Sequence, residues 1–359
     1  MKKFDRRLIF EDGTYYDGYS FGSTTEKVLE IVFNTSMVGY QEILSDPSYT
    51  DQGVVMTYPL IGNYGMADDD YETDIPTIGG FIVREYNDEP SNFRSKETLA
   101  AVMEQYDIVG ISGIDTRQLT RYIRDVGSRR AVITSVETSV EEGIEIIKNT
   151  PVKTDAVSRV SHKAICHYNM AGAKKTVVAI DCGIKLNIVR SLNSYGINVI
   201  VVPYNTDAKT IEKLHPDGIF ISNGPGDPTD VTETIETIKN LIGKYPIFGI
   251  CLGHQIISLA YGAKTYKLKF GHRGGNHPVL NKKNGKIEIT SQNHSYAVDT
   301  ESLKATKLTA THINILDNTI EGVECVEDKV FGVQYHPESA PGPQDSDYLF
   351  KCFLDLMEE

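Results

Sequence analysis

No run of about 18 or more apolar residues occurs anywhere in the chain, so no segment suits a membrane-spanning helix. The amino-terminal stretch Met1-Lys2-Lys3-Phe4-Asp5-Arg6-Arg7 is charged, but no apolar core follows it, so it does not read as a secretory signal. Cysteine is scarce: Cys166, Cys182, Cys251, Cys325 and Cys352 are the five present. Their number is odd and no Cys-x-x-Cys pair occurs, which excludes a disulfide scaffold and a cysteine zinc site and fits a reducing cytoplasm. Positive charge is in deficit, 36 Lys and Arg against 49 Asp and Glu, for a net charge of −13. Such a chain repels phosphate backbones, so nucleic acid is a poor partner. Neither G-x-x-x-x-G-K-[ST] nor G-x-G-x-x-G is present, so the chain carries no nucleotide-binding signal of its own. His254, His272, His277 and His294 cluster in sequence, but no H-E-x-x-H or comparable ligand pattern joins them, and no metal is expected. Repeats and low-complexity tracts are also missing.

What is there is ordinary globular material. The 359 residues are 40% hydrophobic and 24% charged, enough to bury substantial cores. At roughly 100–200 residues per domain, two domains are expected. Residues 1–150 read as a mixed α+β domain. Asp12-Gly13 is a turn signal between Leu8-Ile9-Phe10 and Thr14-Tyr15-Tyr16, and residues 28–33 form a β-branched apolar run. The spacing predicts helices over 95–105, with Ser95 as its cap, over 115–125, stopped by Gly127, and over 141–148. Asp68-Asp69-Asp70 and Glu141-Glu142 read as solvated faces or helix starts. Periodicity fades over 151–175, which reads as a linker wrapping between domains.

From 176 to 359 the rhythm changes. Strands are predicted over 176–180, 197–203, 218–222 and 246–250. Helices are predicted over 184–195, 208–214, 231–242 and 252–261. Continuous apolar strands alternating with helices argue for a buried parallel sheet in a doubly wound α/β domain. After Gly262 the pattern turns to strands, with a hairpin signal at Asn284-Gly285.

In such a sheet, ligands sit beyond the carboxyl ends of the strands, which directs attention to the residues just after each strand. After the fourth strand stands Gly249-Ile250-Cys251-Leu252-Gly253. This is the nucleophile-elbow spacing with cysteine in the place of serine. The glycines permit a tight turn that pushes the thiol out of the sheet, and a helix amino-terminus favours its ionised form. A buried structural cysteine is the plain alternative. Near the carboxyl end, Tyr335-His336-Pro337-Glu338 follows a strand-like run. His336 could activate Cys251 while Glu338 holds the imidazole tautomer, with Pro337 stiffening the link. Alternatively His336 lies in a surface turn. After the third strand, Asn223-Gly224-Pro225-Gly226-Asp227-Pro228 forms a rigid turn. It reads either as an oxyanion hole completed by the N–H of Leu252 or as a plain loop.

Together the cysteine elbow, the His-Pro-Glu and the Gly-Pro-Gly-Asp-Pro loop resemble the class I (triad-type) glutamine amidotransferases, over roughly residues 176–356. The amino-terminal half narrows the resemblance. Segment 33–49, which includes Ser36-Met37-Val38-Gly39-Tyr40-Gln41 and Asp46-Pro47-Ser48-Tyr49, is similar to the small-subunit family of carbamoyl-phosphate synthase. So are Thr57-Tyr58-Pro59-Leu60-Ile61-Gly62-Asn63-Tyr64-Gly65 and Gly113-Ile114-Asp115-Thr116-Arg117.

The resemblance implies a doubly wound α/β glutaminase domain that hydrolyses glutamine. Cys251 would attack the amide carbon. His336 would protonate the leaving ammonia and then activate water against the thioester, oriented by Glu338. N–H groups at Gly224 and Leu252 match the family's oxyanion hole. Ser48, Gly226, Gln255, Asn293, Ser295 and Tyr296 fall where the family binds glutamine. Ser48 belongs to the amino-terminal half, so the family puts the site close to the domain interface. Where many relatives have glycine and then an aromatic residue after Asn-His, this chain has Ser295-Tyr296. Backbone contacts would tolerate that change, whereas a glycine needed for positive φ would not. Cys182 occupies a variable family position and is not read as catalytic.

Ammonia would pass to a separate large subunit, which makes carbamoyl phosphate from bicarbonate and holds ATP and Mg²⁺. No cofactor is expected in this chain, and the expected location is cytoplasmic. A synthetase with two ATP steps would not fit in the residues outside these motifs. The resemblance leaves open whether arginine or pyrimidine synthesis is served. Rival readings are an amidotransferase for the anthranilate, GMP or CTP pathways, a stand-alone γ-glutamyl hydrolase, and a non-catalytic regulatory subunit.

Overall fold

A computed structural model describes residues 3–358. The chain packs as two units, Met1–Lys153 with Lys269–Arg273, and Thr154–Leu268 with Gly274–Glu359.

The first unit holds strands β1 (Arg6–Phe10), β2 (Tyr15–Gly22), β3 (Lys27–Asn34), β4 (Gln52–Met56), β5 (Leu60–Ile61), β6 (Gly80–Ile82), β7 (Glu85–Tyr86), β8 (Val109–Ser112) and β9 (Arg129–Ser135). Seven of them close into a barrel in the order β1-β2-β8-β6-β4-β3-β9, while β5 and β7 pair separately. Strand alternation builds the walls: Leu8 and Phe10 of β1 join one buried cluster, and Ile9 between them joins another with Val132 and Ile147. The Asp12-Gly13 turn joins β1 to β2 in antiparallel register, with Gly13 at φ 88°. The sequence suggested a mixed domain; the closed barrel is new. Closure comes from pairing β1 with β9, Leu8 opposite Ile133, a long-range match that local periodicity does not carry.

The helices differ from expectation mainly at their ends. The first begins at Leu99, with the Thr98 side chain accepting the Ala101 N–H, so Ser95 is not its cap. The helix Thr116–Val126 is capped by Asp115 and followed by Gly127 at φ 100°. Val140–Asn149 starts with a capping box between Ser139 and Glu142. Asp68–Asp70 form a single 3₁₀ turn in which Arg94 pairs with Asp70 at 2.5 Å.

The second unit holds β10 (Cys166–Tyr168), β11 (Lys175–Asp181), β12 (Ile197–Pro203), β13 (Gly218–Ile221), β14 (Ile247–Ile250), β15 (Thr265–Asn281), β16 (Ile287–Val298), β17 (Thr309–Asn314), β18 (Ile320–Cys325) and β19 (Val330–Val333). They form one sheet, β10-β12-β11-β13-β14-β19-β18-β16-β15-β17. Its centre, β12-β11-β13-β14-β19, is parallel, and the flanks are antiparallel. The central strands are buried on both faces, with Val178, Ile180 and Ile221 in one core and Val177, Ala179 and Phe220 in the other. That explains their unbroken apolar runs. Asn284 and Gly285 turn the β15–β16 hairpin, with Gly285 at φ 72°. The segment expected to be a linker contains the short helix Ala156–Val160 and strand β10. Among the described residues no helix is long and apolar enough to cross a membrane.

Candidate active site

The turn between β14 and the helix Leu252–Ala260 is built by its two glycines. A Cβ on Gly249 would lie 2.6 Å from the carbonyl carbon of Gly253, and one on Gly253 would lie 2.2 Å from the Ile221 oxygen. Only glycine lets the helix start so close to the sheet. Cys251 stands between them at φ 54°, ψ −105°, a conformation that L-residues avoid and that costs of order 1–3 kcal/mol. The surrounding strands hold it there: its N–H donates to the Val333 oxygen at 2.8 Å, and its oxygen accepts from the Gln255 N–H at 3.2 Å. The side chain is buried, and its Sγ–H donates to the Asn293 oxygen at 3.5 Å. As the first residue of its helix, Leu252 has an N–H without an intrahelical acceptor.

His336 follows β19, and its N–H donates to the Ser291 oxygen at 2.8 Å. Its Nδ1 stands 2.7 Å from Glu338 Oε1. Both side chains are almost fully buried. Burial alone would make the imidazole give up its proton. The charge of Glu338, with Cys251 beside the ring, outweighs burial and raises the His336 pKa above its ordinary value. His336 Nε2 meets no partner within strict hydrogen-bond geometry, although Cys251 is near enough to act on the ring's titration. Burial would push Glu338 up, but Lys185 and His336 pull it below the usual carboxylate range.

Lys185 is the residue that sequence reasoning missed. Its Nζ lies 3.0 Å from Glu338 Oε1 and 2.6 Å from the Ser339 oxygen, in a pair with side-chain exposures of 4% and 0%. The Asn187 side chain also donates to the Glu338 oxygen. The usable signal was position, because Lys185 lies just beyond the carboxyl end of β11, where parallel sheets place their ligands.

The loop after β13 packs against the turn after β11. A Cβ on Gly224 would lie 2.1 Å from the Cys182 oxygen and 2.8 Å from Leu252 Cδ2, which places Gly224 against the start of the elbow helix. Gly226 has φ 89°. Gln255 Nε2 donates to the Tyr296 oxygen at 2.8 Å and to Gln334 Oε1 at 2.9 Å. Asn293, Ser295 and Tyr296 lie in β16, and Ser295 does not adopt positive φ, so the Ser-Tyr pair needs no glycine conformation. The structure thus brings Cys251, Leu252, Gln255, Asn293, Tyr296, His336, Glu338 and Gly224 into one region of the second unit. Ser48 belongs to the first unit, in the 3₁₀ turn Pro47–Tyr49, where its N–H donates to Asp46 Oδ1 at 2.9 Å.

Of the clustered histidines, His272 and His294 lie with Glu321 in a buried group whose ligand atoms are all within 4.8 Å of one another. His254 is fully buried, and burial lowers its pKa to about 3, so the ring is neutral. His294 faces the Tyr296 oxygen with Nδ1 at 2.7 Å and Gln292 Oε1 with Nε2 at 2.9 Å. All five cysteines are unpaired.

A strained cysteine at a helix start, beside an imidazole that holds its proton and a buried carboxylate on a doubly wound α/β sheet, is the arrangement that a cysteine nucleophile requires. Residues 178–356 match the family Glutamine amidotransferase class-I, and residues 8–133 match Carbamoyl-phosphate synthase small chain, CPSase domain. The chain is 54% identical over 351 residues to the carbamoyl phosphate synthase small chain of Fusobacterium nucleatum, covering 98% of each chain. It is 51% identical to that of Staphylococcus saprophyticus, covering 99% of this chain and 96% of the relative. It is also 52% identical to the carbamoyl phosphate synthase pyrimidine-specific small chain of Halalkalibacterium halodurans, covering 98% and 97%. The chain belongs to the carbamoyl phosphate synthase small chain family.

Proposed function

We propose that this chain hydrolyses glutamine to glutamate and ammonia and delivers the ammonia to a separate large subunit, which makes carbamoyl phosphate from bicarbonate and ATP. The observation that carries the reading is the strained Cys251 beside the buried His336–Glu338 pair, in a chain of this family.

Cys251 Sγ, its proton held by His336, attacks the side-chain amide carbon of glutamine. The oxyanion that forms accepts hydrogen bonds from the N–H groups of Gly224 and Leu252. His336 then gives its proton to the amide nitrogen, the C–N bond breaks and ammonia leaves. Water attacks the thioester, with His336 taking its proton. The C–S bond breaks, glutamate departs, and the site returns to its starting state with His336 carrying the proton taken from water. Glu338 holds His336 Nδ1–H throughout, and Lys185 keeps Glu338 ionised. Gln255, Asn293, Ser295, Tyr296 and Gly226 bind the substrate. ATP and Mg²⁺ belong to the large subunit, and this chain needs neither for its own step. A closed route for ammonia between the chains is favoured because free ammonia is mostly protonated at neutral pH.

The test is glutamate release by the purified chain, alone and with a carbamoyl-phosphate synthase large subunit plus bicarbonate and ATP. Slow release that rises sharply with the partner supports a coupled subunit. Equal release in both conditions points to a hydrolase or to another acceptor.

A further inference from the structure

The segment that leads into the second unit is anchored by two consecutive side chains. Ser161 Oγ accepts the Tyr204 N–H at 3.0 Å, just past β12. The backbone N–H and the ring Nδ1–H of His162 both donate to Asp181 Oδ2, each at 2.6 Å, at the end of β11. Asp181 is fully buried, and its other oxygen accepts the N–H groups of Gly183 at 2.8 Å and Ile184 at 2.7 Å. One carboxylate therefore ties the linker to the turn that follows β11.

That turn is the seat of the Gly224 loop. A Cβ on Gly183 would lie 3.1 Å from Val160 Cγ2 and 3.2 Å from Gly224 Cα, so the turn is wedged between linker helix and loop. Two hydrogen bonds fasten it: the Cys182 N–H to Ser222 Oγ at 2.9 Å, and the Lys185 N–H to Asn223 Oδ1 at 3.2 Å. The linker also meets the loop directly, because a Cβ on Gly226 would lie 3.7 Å from Ala156 Cβ.

We infer that His162 is a positioning residue for the Gly224 N–H: through Asp181 it locks the turn on which the loop rests. The inference builds on the reading of Gly224 as an oxyanion donor. A donor works only within about 2.7–3.1 Å of the developing oxyanion, so a small shift of this seat weakens the transition state more than the bound substrate.

The test uses the full chain with its large subunit, as wild type, His162→Ala, His162→Asn and Cys251→Ala. Three quantities are read: kcat for glutamine, KM for glutamine, and inhibition by glutamate γ-semialdehyde. The aldehyde carbon of that inhibitor takes the cysteine sulfur, and the proton moves to the aldehyde oxygen, giving a tetrahedral thiohemiacetal that needs the same donors. In His162→Ala, kcat is expected to fall about ten-fold, semialdehyde affinity to weaken by a similar factor, and KM to stay within about two-fold. His162→Asn, whose amide can still donate to Asp181, is expected to recover most of the loss. Unchanged kcat and semialdehyde affinity would overturn the inference, as would a rise in KM alone or an Asn variant no better than Ala. Glutamine hydrolysis that survives Cys251→Ala would instead remove the underlying reading of the site, and the inference with it.

Discussion

Cys182 and Cys251 each follow a buried parallel strand, β11 and β14, and both are buried. Their surroundings differ. Cys182 packs among aliphatic residues, its Sγ 4.0 Å from Thr234 Oγ1. Burial, reinforced by the charge of Asp181, pushes its thiol far up, so it stays protonated. Cys251 lies between two glycines that leave no room for a Cβ, at positive φ, with a buried histidine and carboxylate alongside. A strand end supplies location only. What sets Cys251 apart is the strained backbone turn that holds its sulfur beside a buried histidine and carboxylate.

The comparison can be broken most sharply at Cys251. Cys251→Ala is expected to abolish glutamine-dependent synthesis, by at least about 10⁴-fold, while ammonia-dependent synthesis by the assembled complex persists. Loss of both activities would assign Cys251 to folding or assembly. His336→Asn is expected to be nearly as damaging, about 10³-fold or more in kcat for glutamine, because it removes the group that moves every proton. Glu338→Gln is expected to be milder, about 10²-fold, since it orients without touching the substrate. It also carries a pH signature. Glu338 raises the His336 pKa, so its removal lowers that pKa, and the alkaline limb of kcat/KM moves to lower pH by about one unit. An unmoved limb would contradict the pairing. Cys182→Ala is expected to leave kcat and KM within about two-fold and to lower stability by about 1 kcal/mol, read from thermal unfolding, because only one buried sulfur is lost.

Much of the second unit was legible because its signals are local. The strand runs carry their burial on both faces, and Gly249 and Gly253 mark the elbow. His336 and Glu338 stand close in sequence, so their contact needs no tertiary knowledge. What escaped is nonlocal. Lys185 reaches Glu338 across 153 residues, and nothing in its own neighbourhood marks it as buried. Barrel closure in the first unit depends on β1 meeting β9, a pairing that only tertiary structure selects. The cap at Thr98 rather than Ser95 turned on which side chain reached a free N–H, a choice between neighbours of similar propensity. His162 fell in a stretch without periodicity, and its role emerges only from the carboxylate at the end of β11.

The most direct measurement is labelling by a chloroketone analogue of glutamine, read by intact mass and peptide mapping, with glutamine as competitor. One label per chain on Cys251, suppressed by glutamine and lost in His336→Asn, is the expected result. Labelling spread over Cys182, Cys325 or Cys352, or labelling that glutamine does not suppress, would contradict the assignment of Cys251 as the nucleophile.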